Sequence, residues 1–246
     1  MRKMERLLQI AEQVARLVVF LVRGCANMVI FKFSKTGNAR FYSHLDMIRL
    51  FKLALVRAEI PVKLNKKGDM KIYFSPATSI GANSTAEFVE IDCDLLAHKL
   101  ASDVETYLPD GIKITAEYDS KTRLGIPAIA SMAKYEILID RVDSLQKKIT
   151  DLLSSDTFKV KLKINNNTSE VLIKDFVNKF YFDKGVLFIL AKTAQENLNI
   201  PQTIFQMLSL INERDAEFSV TKTNQFAFID GRYHDIELMA IRKNNI

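Results

Sequence analysis

The sequence predicts an α+β protein of two ferredoxin-like units in tandem, each a βαββαβ plan with an antiparallel sheet, behind an N-terminal helix. Three observations carry this. Strand-like alternation and helix-like periodicity follow one another as β-α-β-β-α-β over residues 28–120, the order of the split βαβ motif. Residues 120–131, with Gly125 and Pro127, then read as a linker. The same plan restarts over residues 132–239 with one extra strand.

The elements follow from local patterns. Residues 1–27, MRKMERLLQIAEQVARLVVFLVRGCAN, form a helical extension, apolar at Leu7, Leu8, Ile10, Ala11, Val14, Leu17 and Val18. Its apolar run at residues 17–22 is six residues long, where a membrane span needs about 20. Glu12 and Arg16 interrupt any signal-peptide core. Packing on the domain or on a partner is expected; a surface-lying amphipathic helix and a natural start at Met28 are the other readings. VIFKF (29–33) is a β-rich run. Residues 43–60 are helical, with Ser43 as cap, Asp46 placed to complete a capping box and Pro61 ending the element. MKIYF (70–74) and EFVEI (87–91) are strands. Residues 94–108 form a helix with Asp94 as its cap, Pro109-Asp110-Gly111 a turn, and IKITAEY (112–118) a strand. In the second half YEILID (135–140) is a strand, 141–155 a helix and FKVKLKI (158–164) a strand. Two more strands flank the hairpin signal Asp183-Lys184-Gly185. A helix with Pro201 in its first turn covers 200–211, and β-rich sequence closes at 217–229.

Composition narrows the function. Over 246 residues, 48% hydrophobic and 26% charged is the balance of a soluble globular protein. Cys25 and Cys93 have neither metal-ligand nor redox spacing and read as reduced thiols of a cytoplasmic protein. His44, His98 and His234 are too scattered for a metal site. No Walker loop, G-x-G-x-x-G, H-E-x-x-H or G-x-S-x-G occurs. No metal or cofactor is therefore expected.

Charge is uneven. Residues 29–75 hold ten Lys or Arg against three Asp or Glu, a net of +7, and residues 1–28 a net of +3. The whole chain is +6, which leaves −4 for the rest. The positive field thus comes from the first third, a pointer to a polyanion or an acidic partner. A solvated basic face with no ligand is the plain alternative.

FSKTGNARFYSHLD (33–46) concentrates the candidates. Gly37 can take positive φ and turn the chain sharply after its first strand. The helix that follows presents unpaired amides near Ser43, which attract anions. Lys35 and Arg40 flank that end, and Arg49 and Lys52 lie further along the helix. Lys35, Gly37, Arg40, Ser43, His44, Arg49 and Lys52 are accordingly the candidate anion- or nucleic-acid-binding residues, with phosphate or an RNA backbone as ligand. Asp46 competes for the same amides, so a structural turn with surface charge is the other reading. His44 is the candidate catalytic residue, a general base for metal-independent RNA cleavage. By helical angle it lies about 160° from Asp46, so packing at the sheet edge is its structural reading. His98 reads as helix surface and His234 as part of a turn. Aromatics such as Phe31, Phe33, Phe74 and Phe188 could stack on bases, but alternate strand positions make core their default.

One resemblance adds to this. F-x-F-S-K-T-G-x-A-R-F-x-S-H-L-D at 31–46 resembles the opening of the bacterial DUF2344 family, also called radical-SAM-linked or radical-SAM-associated proteins. The likeness continues through Ile48-Arg49, Phe51, Arg57-Ala58 and Ile60-Pro61, IYFSPATSIG (72–81) and residues 87–91, and more loosely through V-L-I-K-D-F and Gly185, over about residues 28–235. The family's usual Gly-, Phe- and Pro-containing loop after the first helix is replaced here by LNKKGDM (64–70). The resemblance implies an accessory protein of a radical-SAM enzyme. The chain has no C-x-x-x-C-x-x-C to hold that chemistry's cluster itself. With the basic first third, the expected function is non-catalytic binding of RNA or another polyanion for that partner. An endoribonuclease using His44, suggested by fold-level analogy with tandem ferredoxin-like RNA-processing proteins, and a pure protein-interaction scaffold are the alternatives.

Overall fold

Alternation puts Val29, Phe31 and Phe33 on one face of β1 (Met28–Lys35) and Ile30 on the other, and all four are buried. A strand apolar on both sides must be central and covered on both faces, and β1 is. The computed structural model describes residues 28–164, 167–193 and 199–244; the helix expected over residues 1–27 lies outside them.

The fold is α+β, with a mostly antiparallel sheet and six helices among the described residues. In the first half, α1 (His44–Arg57) leads to β2 (Ile72–Phe74) and β3 (Asn83–Asp92), then α2 (Ala101–Glu105) and β4 (Ile112–Ser120). A short α3 (Ile126–Ile129) opens the second half. It continues through β5 (Ala130–Ile139), α4 (Val142–Leu153), β6 (Lys159–Ile164), β7 (Asn167–Leu172), β8 (Val177–Asp183) and β9 (Val186–Lys192). The chain closes with α5 (Ile200–Leu210), β10 (Phe218–Ile229), β11 (Arg232–Asp235) and α6 (Ile236–Asn244).

The strand order is β4-β1-β3-β10-β5-β9-β8, with β2 also on β3 and β11 on β10, making one nine-stranded sheet. Each half contributes the same local order: β4-β1-β3-β2 in the first, β10-β5-β9-β8 in the second. The halves join through β3 and β10, which pair in parallel at Thr221↔Asn83 and Lys222↔Ser84. The sequence predicts two units but carries no sign that they share a sheet.

On one face lie two cores. Val29, Phe31, Phe33, Val89 and Ile91 pack under Phe51, Ala54, Leu55 and Val104 of α1 and α2. Tyr135, Ile137, Leu187 and Ile189 pack under Ile149, Leu153, Ile204 and Met207 of α4 and α5. On the opposite face Ile30, Phe88, Tyr118 and Ala227 pack against Ile126 of α3 and Ile236 and Ala240 of α6.

Several local expectations change. The helix expected over 94–108 is a 3-10 turn, Ala97–Lys99, followed by the short α2. Asp94 does not cap it: its carboxylate pairs with Lys63 at 2.8 Å, and Asp119 Oδ1 accepts from the Ala97 amide at 2.8 Å instead. Residues 120–131 are held rather than loose, because the carboxylate of Glu90, fully buried, accepts from the amides of Leu124, Gly125 and Ile126 at 2.6, 3.0 and 2.9 Å. The insertion in the second half is a hairpin, β6–β7, not one strand. Its returning strand sits in a polar Asn-, Thr- and Ser-rich run that shows no apolar alternation. Helix α6 had no counterpart in the sequence reading; its buried Ile236 and Ala240 are mixed with exposed Leu238 and Ile241, so no apolar face stands out.

Gly111 is the most tightly enclosed of the described glycines. Its φ is +87°, and a Cβ there would lie 2.3 Å from the Thr36 carbonyl oxygen, while the Thr36 amide donates to the Gly111 carbonyl at 2.8 Å. Gly68 has a similar φ of +86° but open space around it. Urea melts should therefore separate the two: Gly68→Ala costs about 1 kcal/mol from positive φ alone, and Gly111→Ala about 3 kcal/mol or more.

Candidate functional site

The last residue of β1 decides where the site lies. Lys35 shares the parity of Phe31 and Phe33, so its side chain enters the helix-covered face; it is 3% exposed. Its ammonium donates to the carbonyls of Tyr42 and Thr78, both at 3.3 Å. Register then carries the row across the sheet. Lys35 pairs with Ser84 of β3, Ser84 with Lys222 of β10, and Lys222 with Tyr135 of β5. Glu87, opposite Phe33, lies on the same face, and a bulge between Phe33 and Lys35 brings Ser84 level with Lys35.

Glu87 and Lys222 meet there. Lys222 Nζ lies 2.9 Å from Glu87 Oε1 and donates to the Pro76 carbonyl at 3.0 Å. Thr78 Oγ1 donates to Glu87 Oε1. Both charged side chains are buried, Lys222 fully. The segment of residues 75–81, part of the IYFSPATSIG run, lies against this cluster and is tied to it. Ser75 Oγ accepts from the Phe88 amide at 3.1 Å and from Gln225 Nε2 at 3.0 Å, and the Gly81 amide donates to the Arg40 carbonyl at 3.0 Å.

His44, the first residue of α1, stands at the rim, exposed on one side and edge-on to Phe74 with ring centroids 5.8 Å apart. Its pKa lies below the ordinary imidazole value. Desolvation is the main cause, Glu87 opposes it, and Lys222 and Lys35 reinforce it. Burial likewise lowers Lys35 and Lys222 against the pull of Glu87. Burial alone would raise Glu87, but the charge of Lys222 and hydrogen bonds from Thr78, Lys222 and Ser84 outweigh it and hold the carboxyl low. Two buried amines thus lie near one carboxylate, which pairs with Lys222 alone, beside an imidazole that is neutral at pH 7.

The residues expected at the site divide. Lys35 and His44 come together with Glu87 and Lys222. Ser43 caps α1 in a complete capping box: its Oγ accepts from the Asp46 amide at 3.2 Å, and Asp46 Oδ2 accepts from the Ser43 amide at 3.0 Å and from Ser43 Oγ at 2.6 Å. The Asp46 carboxylate therefore occupies the end that an anion would need. Gly37 has φ +57° and stands in open space. The Arg40 guanidinium lies 4.8 Å over the Phe41 ring, with its Nε buried and unpartnered. Arg49 is exposed, 3.8 Å from Asp46, and Lys52 is half-buried on the same helix. Glu87, Lys222 and Thr78 escaped the sequence reading. A signal existed: Glu87 shares parity with Val89 and Ile91, and Lys222 with Val220, so both place charge at core positions.

Elsewhere, no group of His, Cys, Asp or Glu among the described residues could hold a metal, and no described helix is long and apolar enough to cross a membrane. His98 is exposed, and His234 pairs with Ala227 in the β10–β11 hairpin. Cys93 is a buried thiol whose pKa burial pushes up. A cleft of about 820 Å³ between Met132, Phe176, Lys192, Phe228 and Tyr233 contains none of the expected residues.

Two measurements test this geometry. Glu87→Met or Lys222→Met alone leaves a buried charge unpaired and should cost about 3–5 kcal/mol in urea melts, whereas the double variant recovers most of the loss. Simple addition of the two losses would contradict the pairing. For His44 the folded pKa lies below the unfolded value of 6.5, so its contribution is present above that pH and is lost as pH falls through the folded value. The stability profile of His44→Gln should be flatter than wild type just below pH 6.5.

Comparison with known proteins gives a family and little else. Two solved structures are similar at low level. One is an unknown protein from Galdieria sulphuraria, at 15% identity over 80% of this chain and 98% of that one, with a TM-score of 0.25. The other is a candidate glycine cleavage system transcriptional repressor, at 11% identity over 80% and 96%, with a TM-score of 0.19. Scores this low carry no argument. No curated protein matches. The family described as an uncharacterized protein conserved in bacteria, DUF2344, matches over residues 29–204. That span takes in α1, the segment of residues 75–81 and Glu87, and on it the chain belongs to the DUF2344 family.

Proposed function

We propose that the chain is a non-catalytic, cytoplasmic accessory protein of a radical-SAM enzyme and binds RNA or another polyanion through its basic first half. Each half is read as a ferredoxin-like unit, a reading supported by the repeated order β4-β1-β3-β2 and β10-β5-β9-β8. The family resemblance supports the radical-SAM partner. The observation that carries the polyanion reading is the division of the first half's cations. Lys35 is turned inward, while Arg49 and Arg57 stay exposed on α1 with Lys52 between them. Exposed cations along one helix meet phosphates without the cost of unburying a charge, and such binding is strongly salt-dependent.

A second reading, an endoribonuclease, has one favourable observation: His44 is accessible and neutral at pH 7, as a general base must be. Unchanged cleavage by a His44→Ala protein would exclude it.

Filter binding to total RNA tests the main reading. Affinity should fall steeply between about 50 and 200 mM salt, and Arg49→Ala and Lys52→Ala should each reduce the salt slope by about 0.7–0.9. Absence of binding at the lower salt removes the reading. Nuclease-insensitive co-purification with a radical-SAM protein by a chain that binds no RNA would favour a scaffold instead.

A further inference from the structure

We propose that the seam between the halves is a receptor for one small oxyanion, a carboxylate or dihydrogen phosphate, held by Lys35 with His44 at its entrance. The argument is one of charge. Lys35 and Lys222 are buried with one carboxylate, Glu87. Glu87 Oε1 already accepts from both Lys222 and Thr78. Lys35 forms no ion pair with it within 4.0 Å; its contacts are two carbonyls at 3.3 Å, longer than a charged amine prefers. An uncompensated buried ammonium is costly, and one negative charge would balance the group.

Lys35 is buried, but both of the carbonyls that hold it lie outside helix and strand. One carbonyl on Lys35 belongs to Thr78, in the irregular segment of residues 75–81, and the other to Tyr42, just before α1. An oxyanion taking the Lys35 ammonium replaces those carbonyls, so only a short irregular stretch has to shift. His44 opens to solvent beside it, and as a neutral imidazole it can exchange a hydrogen bond with a protonated oxyanion without adding repulsion. The site is separate from the exposed cations of α1 and does not rest on the polyanion reading, since a free small anion suffices to fill it.

Thermal melts with inorganic phosphate and with acetate, each against chloride at equal ionic strength, test the proposal and identify the oxyanion. One of the two should raise the wild-type melting temperature by about 3–5 °C at ten times its dissociation constant. Lys35→Met should lose that rise yet melt no lower than wild type in chloride, because it removes an unmatched buried charge. His44→Ala, at the exposed rim, should fold normally and show a smaller rise. Absence of a rise with either anion overturns the proposal. A rise undiminished in His44→Ala also overturns it, whether or not Lys35→Met folds, because it would mark a general salt effect.

Discussion

The ion pair of Glu87 and Lys222 holds the structure's most exposed weakness, the narrow join between its halves. Strands β3 and β10 pair at only two positions, too few for backbone hydrogen bonds alone to set a register. A buried ion pair adds little net stability over apolar residues of the same size. It does penalise every arrangement that leaves either charge unpaired. A one-residue slip of β10 against β3 would turn Lys222 to the other face, into the apolar layer of Ile30, Phe88 and Ala227. The pair therefore specifies the register more than it strengthens it.

The same device recurs around the join. Three glutamates each tie distant parts of the chain. Glu87 of β3 takes Lys222 of β10. Glu90, also of β3, gathers three amides at the start of α3. Glu237 of α6 accepts from Lys32 at 2.6 Å and from the Tyr118 hydroxyl at 2.8 Å, returning the C-terminal helix to β1 and β4. Alternate positions of β3 thus serve opposite faces, and the sheet is fastened on both. The stretch between the halves behaves as part of this framework, because Glu90 fixes it where a free linker would need no partner.

What the sequence shows follows from how local each interaction is. Helix α1 and its capping box are legible because Ser43 and Asp46 meet within one turn. The Asp183–Gly185 hairpin is legible because a positive-φ pair needs Lys184 and Gly185 adjacent. The parallel pairing of β3 with β10 is not, since it joins residues 138 apart in the chain and leaves no periodicity behind. Lys35 illustrates the middle case. In sequence it is a lysine beside a glycine turn, the pattern of a surface anion loop. Its burial follows from its parity with Phe31 and Phe33, but the charged group it joins needs Glu87 of β3 and Lys222 from the other half.

Lys222 then bears on how the basic first third is to be read. Charge counted along the chain treats every lysine there as available to a ligand outside. In the folded protein Lys35 belongs to an interior group completed by a residue near the C-terminus, while Arg49 on the next helix remains in water. A ligand meeting the outer cations competes with solvent and salt, and its affinity falls as ionic strength rises. A ligand meeting Lys35 competes with two protein carbonyls in a region little screened by salt. The two kinds of binding therefore separate by their salt dependence, and the opening motif can serve an interior anion whether or not the outer face of α1 ever meets a nucleic acid.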